Sequence, residues 1–90
     1  MKIQQTLSFK SKAKKLHQNQ VKELEAAIKK ICNDPKIGVR KKGDLSEVNV
    51  YKFNMSNSLY LIAYTWDDKE SLLTLLQLGV HENFYRDLKQ

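Results

Sequence analysis

The chain has 90 residues, 41% of them hydrophobic and 29% charged, and its 16 Lys and Arg against 10 Asp and Glu leave a net charge of +6. That length fits a single domain spanning residues 1–90, and the composition is that of a folded protein rather than a disordered one. The single cysteine, Cys32, excludes an internal disulfide framework and a Cys-rich zinc site, and apolar runs of only a few residues exclude a transmembrane helix.

Met1 to Phe9 alternates weakly, with Ile3, Leu7 and Phe9 able to face inward, which predicts an edge strand or extended lead-in. It contains no apolar h-region, so a secretory signal is not expected and the cytoplasm is the expected compartment. From Ser11 to Leu16 the Ala and Lys residues favour a short helix. Asn19 is the expected cap of the next helix. Val21, Leu24, Ile28 and Ile31 then recur at helical spacing, widened by Ala26 and Ala27, until Pro35 disfavours helical geometry at Asp34. Residues 36–47 read as a connector broken by Gly38 and Gly43.

Beyond the connector the period changes to two. Val48 to Met55 reads as a strand, Ser56-Asn57 as a turn, and Ser58 to Trp66 as a second strand with Tyr60, Ile62, Tyr64 and Trp66 on one face and Leu59, Leu61 and Ala63 on the other. Residues 67–70 are a polar turn, and Ser71 to Val80 is a third strand, Leu-rich on both faces and hence central. Glu82 to Lys89 closes as a short helix. The expectation is an α+β fold: an N-terminal strand and two-helix hairpin packed on an antiparallel meander sheet, with a short C-terminal helix. The helices can cover one face of that sheet, leaving the other for solvent or a partner.

Charge is distributed unevenly. Residues 1–42 carry twelve Lys and Arg against three acids, and residues 43–90 carry four against seven. The first half therefore presents a field suited to a polyanion such as RNA, DNA or an acidic protein segment. The blander account of lysines 10, 12, 14, 15, 22, 29 and 30 is that they line solvated helix faces.

Signatures of enzymes are mostly missing: the sequence holds no phosphate-binding Gly-rich loop, no GxSxG, no HExxH and no zinc spacing, so no metal and no cofactor is implied. His17 reads as a solvent-facing or helix-junction residue. His81 is different, because it follows Leu78-Gly79-Val80 at a strand end and precedes Tyr85 and Arg86. A proton-transfer group, a stacking ring and a phosphate-binding fork thus lie within six residues.

Lys42-Gly43-Asp44-Leu45, then Val50-Tyr51-Lys52-Phe53, then Tyr60-Leu61-Ile62-Ala63-Tyr64, then Leu75 to Gly79 and His81 resemble, in order and spacing, the RelE/ParE superfamily of bacterial type II toxins. The resemblance covers nearly the whole chain. It implies one of two activities: cleavage of mRNA on the translating ribosome, as in the RelE-like branch, or poisoning of DNA gyrase, as in the ParE-like branch. A catalytically inactive binding member is a further alternative. It also implies a cognate antitoxin as partner, in a toxin–antitoxin hetero-oligomer, and no membrane.

Under the ribonuclease alternative His81 matches the His of the family's G-x-H ending, Tyr85 an aromatic that holds the substrate base, and Lys52 a basic residue at the scissile phosphate. Arg40, Lys41 and Lys42 fall where basic residues line the RNA groove, and Arg86 can add charge stabilisation. Such cleavage needs the 2′-OH deprotonated, the phosphorane charge stabilised and the 5′-oxygen protonated. A tyrosine titrating near pH 10 is a poor base at neutral pH, which favours His81 for proton transfer and Tyr85 for stacking. Lys52 also has a plainer reading, as the exposed position of an alternating strand. The sequence departs from the family pattern at Leu61 and Gln77, where arginines that stabilise phosphate charge are usual.

Overall fold

The computed structural model describes residues 1–40 and 48–80. Along the chain it forms β1 (Lys2–Gln5), α1 (Leu7–Ala13), α2 (Gln18–Asn33), β2 (Val39–Arg40), β3 (Asn49–Met55), β4 (Ser58–Asp67) and β5 (Leu72–Val80). The strands make one sheet in the order β1-β5-β4-β3-β2. The expected helix over Glu82 to Lys89 lies outside the described residues. No helix among the described residues is long and apolar enough to cross a membrane.

β1 is an edge strand, as the alternation predicts, but it ends sooner, and neither Ile3 nor Leu7 faces inward: they are 48% and 85% exposed. The reason is Thr6. Its Oγ1 accepts the Phe9 N–H at 3.1 Å, so α1 starts at Leu7 rather than Ser11. Helical geometry then turns Phe9 into the core and Leu7 outward. α2 likewise starts two residues earlier than expected. His17 rather than Asn19 precedes it, and the Gln20 side-chain carbonyl accepts the His17 N–H at 2.9 Å. Leu24, Ala27 and Ile31 are buried, with Val21 and Ile28 half-buried beside them, whereas Ala26 is exposed, one helical step off the stripe. The helix ends at Asn33, ahead of Pro35, as expected.

The meander β3-β4-β5 is antiparallel throughout. β1 joins it by parallel pairing with β5, which makes the sheet mixed rather than purely antiparallel. The connector also contributes more than a loop, since Val39 and Arg40 pair with Val50 and Asn49 as a two-residue edge. Between β3 and β4, Ser56 and Asn57 take φ of 52° and 64°, a two-residue turn that suits the twist of a hairpin. Glu23 of α2 accepts the Ser56 N–H at 2.9 Å and so fixes that turn to the helix layer. At the other turn, Asp67 Oδ1 accepts the N–H groups of Lys69 and Glu70 at 2.9 and 3.2 Å.

Between β4 and β5 the register slips at Ala63/Tyr64, with Ala63 opposite Gln77 and Tyr64 opposite Leu75. Leu76 is the extra residue of this bulge. Its carbonyl accepts the Thr6 hydroxyl at 2.7 Å, and the Thr6 N–H donates to Leu75 at 3.1 Å.

The main core lies between helices and sheet, with Phe9, Leu24 and Ile31 against Met55, Ile62, Tyr64, Leu73, Leu75 and Leu78. The faces of β4 are those read from the sequence. The expectation that the opposite face is left for solvent or a partner is not met at its centre: Val50, Leu61 and Ala63 form a second buried cluster, flanked by Val48 and Leu76.

Tyr64 joins the sheet to the chain leaving α2. Its hydroxyl donates to the Pro35 carbonyl at 2.7 Å and accepts the Gly38 N–H at 2.9 Å. A Cβ at residue 38 would lie 2.6 Å from that oxygen, so the approach requires glycine. Burial raises the Tyr64 pKa, with the nearby Asp34 charge adding to the rise and the Gly38 N–H opposing it.

Two stability predictions follow from the packing. Ile31→Ala should cost about 2–5 kcal/mol, whereas Ala26→Lys should change stability by less than about 0.5 kcal/mol, both read from urea unfolding. Tyr64→Phe should cost about 1–3 kcal/mol because two buried backbone groups lose their partner. The unfolded phenol ionises near pH 10 while the folded one stays neutral, so wild-type stability should decline above about pH 10. Unfolding midpoints at pH 8 and above pH 10 should show that decline to be smaller in Tyr64→Phe.

Candidate functional site

Strand register sets up the site. Lys52 on β3 stands opposite Leu61 on β4, and Leu61 opposite Gly79 on β5. This row belongs to the face turned away from α1 and α2, because side chains alternate and Ile62 and Tyr64 take the helix side. Among the described residues Lys52 is exposed, and Gly79 offers backbone without a side chain at the other end of the row. Val80 then ends β5. His81, Tyr85 and Arg86 follow it in sequence and lie outside the described residues, as do Lys41 and Lys42.

The two departures from the expected arginine pattern fall in or beside this row. Leu61 is fully buried. Gln77, opposite Ala63 one row away, is 7% exposed, and its Oε1 accepts the Leu78 N–H at 3.3 Å. An apolar side chain and a backbone-bound amide therefore stand where charge is expected, and Lys52 is the one cation of its row. A single ammonium attracts a phosphate as a point charge but lacks the two-pronged geometry of a guanidinium.

Arg40 is not brought to Lys52. It pairs with Asn49, which pairs with Tyr64, a row of opposite facing to that of Lys52 and about 10 Å away along β3. There Arg40 lines two adjoining cavities of about 500 and 420 Å³ that also share Trp66 and Asp68. Sequence reasoning missed this cluster. Its only signal was a lone tryptophan followed at once by an acidic turn, and that was absorbed into the strand pattern.

A third cavity, about 330 Å³, lies where the α1–α2 junction meets the end of β5, lined by Lys12, Lys15, His17, Tyr60 and Gly79 among others. His17 is thus an exposed junction residue, in keeping with its sequence reading. Lys12 and Lys15 border the same strand end from which the chain leads to His81.

Comparison with known proteins bears on what this arrangement serves. Residues 3–89 match the family described as ParE-like toxin of type II bacterial toxin–antitoxin systems. No curated protein sequence matches the chain. Among solved structures, the fold is similar to that in the intact RelBE toxin–antitoxin complex of Escherichia coli, with a TM-score of 0.71 at 17% identity over 90% of this chain and 96% of that one. The RelBE2 complex of Mycobacterium tuberculosis gives 0.69 at 15% identity over 89% of this chain and 96% of that one. The isolated RelE toxin of E. coli gives 0.67 at 16% identity over 98% and 95%. At such identity the likeness establishes a shared fold.

Because Arg40 and Lys52 stand about 10 Å apart along the sheet in rows of opposite facing, their contributions to polyanion binding should be independent. Losses in heparin affinity for Arg40→Ala and Lys52→Ala should add in the double variant to within about 0.5 kcal/mol, read by titration at fixed salt.

Proposed function

The chain belongs to the ParE-like toxins of type II bacterial toxin–antitoxin systems, and we propose that it acts as a ribosome-dependent mRNA endoribonuclease that arrests translation until a cognate antitoxin binds it. The observation that carries this reading is the exposed Lys52 in one row with Gly79, the strand end that leads within two residues to His81. In this reading Lys52 meets the scissile phosphate, His81 transfers the proton, Tyr85 stacks the base, and Arg86 with Lys41 and Lys42 adds attraction for the RNA backbone. Proton transfer by a positioned side chain typically supplies about 10²–10⁴-fold in rate. Two of the similar solved structures are toxin–antitoxin complexes, which supports an antitoxin as partner here. The basic residues 1–42 favour an acidic segment that orders on binding.

A second reading is favoured by Leu61 and Gln77. With no guanidinium at either position, the same fold would act by binding alone, as in a gyrase poison.

Induced expression separates the two. His81→Ala and Tyr85→Ala should each relieve growth arrest by losing about 10²–10⁴-fold in rate, with folding and antitoxin binding intact. Lys52→Ala should weaken cleavage as well. Cleaved transcripts after induction of the parent chain support the ribonuclease. Double-strand DNA breaks with a fully toxic His81→Ala/Tyr85→Ala variant would replace it with the gyrase reading.

A further inference from the structure

Trp66 is the one tryptophan of the chain, and its surroundings suit a ligand better than a core. One side of the half-buried indole packs on the main core, and the ring also lines both of the adjoining cavities at this end of the sheet. Its Nε1–H donates to Asp68 Oδ1, which restrains the ring's orientation. Arg40 lines both cavities too, with Lys36 at the rim of one and Lys69 at the rim of the other. Thr65 and Thr74, register partners across β4 and β5, line the first cavity as well. Two carboxylates, Asp67 and Asp68, line the first cavity beside these cations. Asp67 Oδ1 is held by two backbone N–H groups, and Asp68 by the indole.

We propose that the paired cavities around Trp66 are a nucleotide-binding subsite, in which a base of single-stranded RNA stacks on the indole and its phosphate meets the Arg40 guanidinium. An aromatic face beside a planar cation is the usual combination for holding single strands. An apolar peptide side chain would instead find threonines and charges, with only Trp66 and Leu72 to bury against. The second oxygen of Asp68 has no partner among the described residues, so it can accept from a base carrying an exocyclic amine, as carboxylates do from cytosine. Adenine and cytosine should therefore bind better than uracil. Trp66 is five residues along β4 from Leu61, about 16 Å and of opposite facing, but Thr65 and Thr74 carry the first cavity round to the Lys52 face. This subsite therefore holds a nucleotide away from the cleavage point. The inference rests on the ribonuclease reading for its occupant and names where a flanking nucleotide is held.

The lone tryptophan is its own reporter. Titrating the purified chain with 2′-O-methyl hexamers of A, C or U, which lack the 2′-OH needed for cleavage, should quench Trp66 emission, more strongly at equal concentration with A and C than with U. Anisotropy of a labelled hexamer should weaken roughly tenfold in Arg40→Ala and in Trp66→Ala. Lys10→Ala, which removes an equal charge from α1, should leave it within about twofold, since a remote exposed charge is screened. Binding of the hexamer without change in Trp66 emission, or an Arg40→Ala loss no larger than that of Lys10→Ala, would overturn the subsite. Equal quenching by U would overturn the role of Asp68. The ribonuclease reading fails separately, through intact transcripts after induction, and quenching of Trp66 does not depend on that outcome.

Discussion

The hydroxyl of Tyr64 is the point at which helix layer, connector and sheet are made one object. It is a single oxygen, fully buried, acting as donor to Pro35 and acceptor from Gly38. Pro35 ends α2, and Gly38 immediately precedes the short strand that carries Arg40. Without that oxygen, two backbone groups would be left unpaired beside a core, and the chain after α2 would have no fixed path onto β3. The requirement for glycine at 38 and for a phenol at 64 is therefore mutual: a side chain at one would occupy the space of the other. The ends of the sheet inherit their geometry from this contact, because β2 pairs with β3 only if residues 35–38 turn at the right height.

Much of this was legible in the sequence. The switch of period from 3.6 to 2 near Val48 located the meander, and the alternation of Tyr60, Ile62, Tyr64 and Trp66 against Leu61 and Ala63 assigned its faces correctly. Ser56-Asn57 announced a tight hairpin because few residues accept positive φ at two successive positions. What sequence could not supply were the partners of polar side chains. Asn19 and Ser11 look like better helix starts than His17 and Leu7 until Gln20 and Thr6 are seen capping the earlier positions. The inward reading of Leu7 failed for the same reason, since a cap that advances a helix by four residues rotates every side chain after it. The parallel pairing of β1 with β5 is invisible locally, because it depends on a contact made some seventy positions away.

The site was legible in part. Lys52 was expected from resemblance, with a plainer reading as an exposed strand position, and the register sets it in a row with Gly79. Resemblance placed Arg40, with Lys41 and Lys42, along the RNA groove that Lys52 was expected to serve. Strand pairing separates Arg40 from Lys52, because an odd offset along a strand reverses the facing of a side chain. Leu61 and Gln77 could be flagged as departures from sequence, but only burial shows that neither position retains exposed polarity. Among the described residues, Arg40 and Lys52 therefore stand in rows of opposite facing.

The Thr6–Leu76 hydrogen bond spans a sequence separation of 70 residues, and among the described residues β1 has β5 as its only strand neighbour. During synthesis the ribosome delivers Lys2 to Gln5 long before Leu72 to Leu75 exist, so the first strand must wait unpaired while helices form behind it. Closing so long a loop is entropically slow, and topologies dominated by distant pairing fold slowly. The emerging polypeptide consequently has an interval in which its helices are made but its sheet is not. Any activity that needs the Lys52–Gly79 row is absent from the nascent chain throughout that interval. The toxin comes into being only as a finished molecule, with its potency delayed relative to its translation by the time its two ends take to meet.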